Sequence, residues 1–151
     1  MSHRFLRLTG ASLVVAAMPV LLALADEPIP KQRLTPSEID ALAASGASAR
    51  MVTVAGDPTK PGLYSVRVSI PAHTRVPPHT HRDNRVVTVL SGTWHVGYGV
   101  TFDPKALKDL PPGSFYTEPA GQPHFTESQE EPVVILVTGL GPSDTKLVAS
   151  P

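Results

Sequence analysis

Cysteine does not occur in this sequence, and that absence restricts it more than any other single fact. Disulfides, thiol nucleophiles, thiolate metal ligands and lipid attachment through Cys are all excluded. Any bound metal must be held by histidine or carboxylate. Aromatic residues are scarce at 5%, so a core has to be built mainly from Val, Leu, Ile and Ala. Charged residues make up only 17% of the chain, they balance to a formal net charge of zero, and no block of Lys and Arg occurs. A nucleic-acid partner, which needs a basic footprint, is therefore not expected; a small neutral or anionic ligand is compatible. No internal repeat is present, and 151 residues suit one folded domain.

What is abundant is proline, with 17 residues. Proline is poorly tolerated in helix interiors and central strands, so short strands joined by tight turns are expected. One segment stands apart. Residues 1–25 carry Arg4 and Arg7 and no acid, then an apolar run from about Leu8 to Leu24, then Ala23-Leu24-Ala25 before Asp26. This is the three-part pattern of a cleavable signal peptide. An uncleaved anchor is the competing reading, but Thr9, Gly10, Ser12 and Pro19 interrupt a run barely long enough to span a bilayer. No twin-arginine pair is present, so the chain is expected to be exported unfolded, to the periplasm or beyond, with no membrane attachment after cleavage. Cleavage after Ala25 leaves eleven Lys and Arg against thirteen acids, a formal charge of −2 that dictates no partner. His3 leaves with the signal peptide.

Residues 26–50 read as an extension with one short helix: Thr35 caps, Pro36 suits the first helical position, and Glu38 completes a capping box, with an end near Ser45-Gly46. Residues 51–151 read as strands. Met51 to Val54 is a short run; Leu63 to Ile70 alternates at period two; Pro77 to His81 is extended. Arg82-Asp83-Asn84 turns, and Arg85 to Leu90 and Thr93 to Tyr98 flank Ser91-Gly92 as a hairpin. A helical turn from Asp103 through about Lys108 follows. Ser114 to Thr117, His124 to Glu127, and Pro132 to Thr138 complete the pattern; the last is expected to be buried throughout, because Val133 to Val137 has no polar interruption. At least seven short strands imply an all-β sandwich or barrel.

The sharpest local feature is His79-Thr80-His81. Side chains two apart on a strand share a face, and two imidazoles on an inward face are costly unless something takes their lone pairs. A metal does that; an exposed surface pair is the plain alternative. His124 follows a proline-glycine turn, starts a strand and could fold back beside the pair, or be hydrogen-bonded filler.

The turns around these histidines carry a resemblance. Gly113, five residues, Pro119-x-Gly121, two residues and His124 form the second cupin motif in its full frame, with Ser128 where that motif ends in Asn. His79-x-His81, followed by Val86 to Leu90 and Ser91-Gly92-Thr93-Trp94, is similar to the first motif. The likeness covers roughly Gly62 to Gly141 and implies a jelly-roll β-barrel with His79, His81 and His124 as metal ligands. It also implies a small-molecule ligand and a homodimer. Two positions depart from the pattern. His73 stands where the first motif opens with Gly, and Arg85, seven residues before Gly92, stands where the family has its Glu ligand.

A cation aimed at a divalent ion is repulsive unless an anion intervenes, so three readings are open at Arg85. The metal is held by three histidines alone and Arg85 binds an anionic substrate, as in the three-histidine cupin oxygenases; or the metal is lost and the histidines with Arg85 bind a carboxylate or phosphate; or Arg85 points away and Asp83 or Glu118 supplies a carboxylate. Asp83 lies in a turn and Glu118 precedes Pro119, and Glu118 and Glu127 are expected at the surface. The ion itself could be Fe, Mn, Cu or Zn. Imidazoles hold Cu and Zn more tightly than Fe or Mn, so the native ion is expected to follow supply in the receiving compartment. The function expected is that of a metal-dependent enzyme, a dioxygenase acting on a small acidic or oxygenated molecule; the alternative is a non-catalytic anion-binding or sensing module without metal. A structural or storage role is the bland third. Among the other aromatics, Trp94 rather than His95 is expected to face inward, and Tyr98, Phe115 and Tyr116 to be core or rim.

Overall fold

A computed structural model of the chain describes residues 29–44 and 50–149. The signal peptide expected over 1–25 and the expected helix end at Ser45-Gly46 lie outside the described residues. Among the described residues no helix is long and apolar enough to cross a membrane.

Helix α1 (Pro36–Ala44) starts with the reciprocal capping bonds its sequence encodes. The Thr35 N–H donates to Glu38 Oε2 at 2.6 Å and the Glu38 N–H to Thr35 Oγ1 at 3.4 Å. Among the described residues ten strands follow: β1 (Met51–Ala55), β2 (Gly62–Ile70), β3 (Arg75–Thr80), β4 (Arg85–Ser91), β5 (Trp94–Tyr98), β6 (Lys108–Leu110), β7 (Phe115–Glu118), β8 (His124–Glu127), β9 (Val133–Gly141) and β10 (Lys146–Leu147). They form two five-stranded antiparallel sheets, ordered β1-β2-β9-β4-β7 and β10-β3-β8-β5-β6. The chain changes sheet at almost every turn, which is the jelly-roll pattern. Arg67 of β2 pairs with Asp40 and ties α1 to the outside of the first sheet.

Two short strands have no counterpart in the sequence pattern. One of them, β6, occupies the end of the stretch read as a helical turn. The turn is a 3-10 helix confined to Pro104–Ala106, capped by Asp103 Oδ1 accepting from the Lys105 N–H at 2.9 Å. The other is β10. The run Val133 to Val137, expected to be buried throughout, alternates instead between buried and half-buried residues, because only one face of β9 looks into the barrel.

Inward positions at period two supply the core: Tyr64, Val66 and Ile70 from β2, Val87 and Val89 from β4, Trp94 and Val96 from β5, Tyr116 from β7, and Val133, Ile135 and Val137 from β9. Trp94 faces inward as expected. Toward the β3–β4 and β7–β8 turns the core gives way to polar side chains, and the site is there.

Candidate metal centre

His79 and His124 are direct partners in the β3–β8 register. His81, one residue beyond β3, returns to the same face. Ring centroids lie 4.2 Å apart for His79–His124, 4.9 Å for His79–His81 and 5.1 Å for His81–His124. All three side chains are buried, and one ligand nitrogen from each lies within 4.8 Å of the others. The two turns that deliver them are stitched together: the Gly121 N–H donates to the His81 carbonyl at 2.7 Å, and the Ala120 N–H to Asn84 Oδ1 at 2.9 Å.

Each ring is oriented by a backbone carbonyl. Nδ1 of His79 contacts Pro77 O at 2.8 Å, that of His81 contacts Asp144 O at 2.6 Å, and that of His124 contacts Gln122 O at 3.2 Å. A carbonyl can only accept, so this network assigns the proton to each Nδ1 and leaves each Nε2 as a bare lone pair. The Nε2 atoms of His81 and His124 are buried and have no hydrogen-bond partner. Burial pushes His79 below its ordinary pKa; burial, followed by the charge of Arg85, pushes His81 down to about 4. Leaving a buried acceptor unsatisfied costs about 1–3 kcal/mol. Convergent neutral imidazoles with orphaned lone pairs are a donor set that fits a divalent cation, and carbonyl-held Nδ1 atoms are the usual outer support of such ligands.

Arg85 opens β4 and Glu118 closes β7, and the two are register partners. Arg85 points inward. Its Nε donates to Glu118 Oε2 at 2.7 Å and its Nη2 meets the same oxygen. The other oxygen, Oε1, accepts from the Tyr116 hydroxyl at 3.0 Å, and that hydroxyl accepts from Trp94 Nε1 at 3.1 Å. Glu118 is therefore not the surface carboxylate expected. It alternates with Tyr116 on the inward face of β7 and is 4% exposed. Its Oε2 lies 3.6 Å from His81 Nε2 and its Oε1 3.4 Å from His124 Nε2. Burial alone would raise its pKa, but the Arg85 guanidinium bound to Oε2 helps to hold it down at about 2. Asp83 is buried too, accepting from the Tyr64 hydroxyl at 2.7 Å, outside the histidine cluster.

The cupin sequence profile matches residues 41–147. The chain belongs to the cupin family. Two solved structures show the same fold. A chain from the crystal structures of the DMSP lyases RdDddP and RnDddQII superposes with a TM-score of 0.55 at 19% identity, over 66% of this chain and 52% of that one. DMSP lyase DddQ from Ruegeria pomeroyi DSS-3 superposes at 0.52 with 22% identity, over 76% of this chain and 59% of that one. This cupin thus spans less than two thirds of the length of either. No curated protein matches the sequence.

The departures from the cupin motifs have local structural meanings. Gly92, Gly113 and Gly121 adopt φ of +70°, +86° and +71°, and His73, where the first motif opens with Gly, is held at +55°. Ser128, in place of Asn, is buried and accepts from the Thr74 N–H at 3.0 Å while donating to Pro71 O at 2.5 Å, closing the loop that carries His73. His73 itself is exposed at its side chain. His95 faces away from the core, against Asp109 at 2.8 Å, and Glu127 pairs with Arg75 on the same outer side. Phe115 and Tyr98 are exposed and Tyr116 is core.

Proposed function

We propose that this cupin is an exported metalloprotein that holds a divalent ion at His79, His81 and His124 and acts as a dioxygenase on a small acidic or oxygenated molecule. The observation that carries the reading is the set of three imidazoles with their Nδ1 protons on carbonyls and their Nε2 lone pairs converging. When bound, the ion supplies Lewis-acid polarisation of a substrate oxygen and, if it is Fe, Mn or Cu, redox capacity. The chain's own residues set the electrostatics. Arg85 and Glu118 cancel, Asp144 is paired with Lys146, and Asp83 adds one negative charge, so the lining does not neutralise a divalent ion and a monoanion is attracted. Beside the site, a cavity of about 230 Å³ is lined by Tyr64, Val66, Val68, Arg85, Val137 and Asp144, smaller than the roughly 300–1,000 Å³ of drug-sized ligand pockets and so suited to a molecule of few atoms. The anion expected at Arg85 is accordingly drawn by the charge of the site more than by a free guanidinium. That pairing with Glu118 also disfavours a metal-free anion-binding module.

Elemental analysis of the protein purified from its own compartment tests this. About one transition-metal ion per chain is expected in the wild type and none in His124→Ala, with oxygen consumption on small carboxylic acids lost in parallel; a metal-free wild type would defeat the reading. Stoichiometric iron with little copper or zinc would count against an ion chosen by compartment supply. Cleavage after Ala25 and a homodimer belong to the same proposal, checked by N-terminal sequencing and sedimentation equilibrium.

A further inference from the structure

We propose that Glu118 is the fourth protein ligand of this centre, a carboxylate supplied from β7 in place of the one the family carries on β4. The proposal rests on reading the three histidines as a metal site. Its first support is distance. Two donors held at about 2.1 Å from one tetrahedral ion stand roughly 3.4 Å apart. Glu118 Oε1 lies 3.4 Å from His124 Nε2, while its other oxygen lies 3.6 Å from His81 Nε2 and the carboxylate borders the three-histidine cluster without being part of it.

The second support is the sign of these contacts. With the Nδ1 protons on carbonyls, each Nε2 is an acceptor, and a carboxylate oxygen is also an acceptor. Lone pair faces lone pair across each gap, and neither nitrogen has another partner. A cation makes that arrangement favourable, either a metal ion between them or a proton taken up on Nε2. The third support is valence. Oε2 is occupied by two Arg85 N–H groups, whereas Oε1 accepts only the Tyr116 hydroxyl and keeps a lone pair for a metal. Oε1 is therefore the ligating atom. Residues 85 and 118 are cross-strand partners, so the carboxylate has moved one inter-strand step, about 5 Å between Cβ atoms. Arg85, in the vacated place, is a positioning residue that holds the carboxylate and cancels its own repulsion of the ion.

The test uses Zn²⁺ and Co²⁺ as probes. In a crystal of the wild type loaded with Zn²⁺, the anomalous peak is expected within about 2.2 Å of Glu118 Oε1. Glu118→Gln is expected to weaken Zn²⁺ binding by more than the ~10–100-fold that outer-sphere partners contribute, and to change the Co²⁺ visible spectrum. Arg85→Gln, which keeps the carboxylate but releases its hold, is expected to change the Co²⁺ spectrum less than Glu118→Gln does. An ion on the three histidines with Glu118 outside ligand distance, or a Glu118→Gln protein with unchanged affinity and spectrum, would overturn this assignment and leave the three-histidine site standing. A wild type that binds neither ion would overturn both. Should Glu118→Gln not fold, the Zn²⁺-loaded wild-type crystal decides alone.

Discussion

Replacing His124 by Ala should destabilise this cupin far more with metal than without. The ring is 1% exposed. Without metal, two effects oppose each other: truncating a large buried side chain costs about 2–5 kcal/mol through the cavity left behind, while deleting an orphaned buried acceptor returns about 1–3 kcal/mol. The metal-free variant should therefore be only ~2 kcal/mol less stable than the wild type. With Zn²⁺ at 100 times its Kd, the wild type gains about 2.7 kcal/mol by mass action, and the variant, missing a ligand, gains little. The gap should widen from ~2 to nearly 5 kcal/mol. For a domain of this size about 3–6 °C accompanies each kcal/mol, so the widening alone amounts to roughly 10 °C in Tm. Thermal unfolding of both proteins by circular dichroism, in EDTA and in Zn²⁺, reads it directly. A merely structural ring predicts the same gap in both buffers, and that result would refute the metal argument.

Two further substitutions probe the departures from the cupin motifs. At His73, φ of +55° costs a side-chain-bearing residue about 1–2 kcal/mol, and glycine gives back about 0.5–1 kcal/mol in unfolded-chain entropy. His73→Gly should thus stabilise by about 0.5–1 kcal/mol in urea denaturation, since the exposed His73–Glu130 pair that disappears with the ring contributes little; a less stable variant would show that the backbone strain is not felt. Ser128→Ala leaves the Thr74 N–H without its acceptor and should cost about 1–3 kcal/mol, measured metal-free so that the site does not mask it. An unchanged urea midpoint would mean that water replaces the hydroxyl.

Much of this fold is written in local pattern. Leu63 to Ile70 alternates at period two and forms β2. Thr35 and Glu38 form their capping box, and Asp103-Pro104 opens a 3-10 turn. His79 and His81 share a face because strand geometry requires it, and the glycine-proline frame before His124 marks the turn that returns it to β3. What stays hidden depends on pairing between distant segments. β6 and β10 are too short to carry a periodic signal and exist because β5 and β3 offer them an edge. Glu118 reads as a surface residue because it abuts Pro119. Yet Tyr116 and Glu118 alternate on one face of β7, and an aromatic residue two places before a carboxylate is the available sign that the carboxylate also faces inward. That Arg85 lies opposite it follows only from the β4–β7 register, which nothing local encodes.

The same register reconciles two expectations about Arg85 that conflict in the sequence. A cation at a ligand position argues against metal, and a cation in the pocket argues for an anionic substrate. With Glu118 across from it, Arg85 no longer opposes an ion, because the pair is neutral. The lining is nevertheless one negative charge poorer than it would be with a lone carboxylate ligand at that place. At an effective dielectric of about 20, one unit charge about 5 Å away is worth roughly 3 kcal/mol, some two orders of magnitude in affinity for an anion. Arg85 is itself 14% exposed at its side chain, so solvent screening trims that figure without reversing its sign. The substitution that breaks the first motif thus leaves a metal site feasible and shifts its preference toward negatively charged molecules.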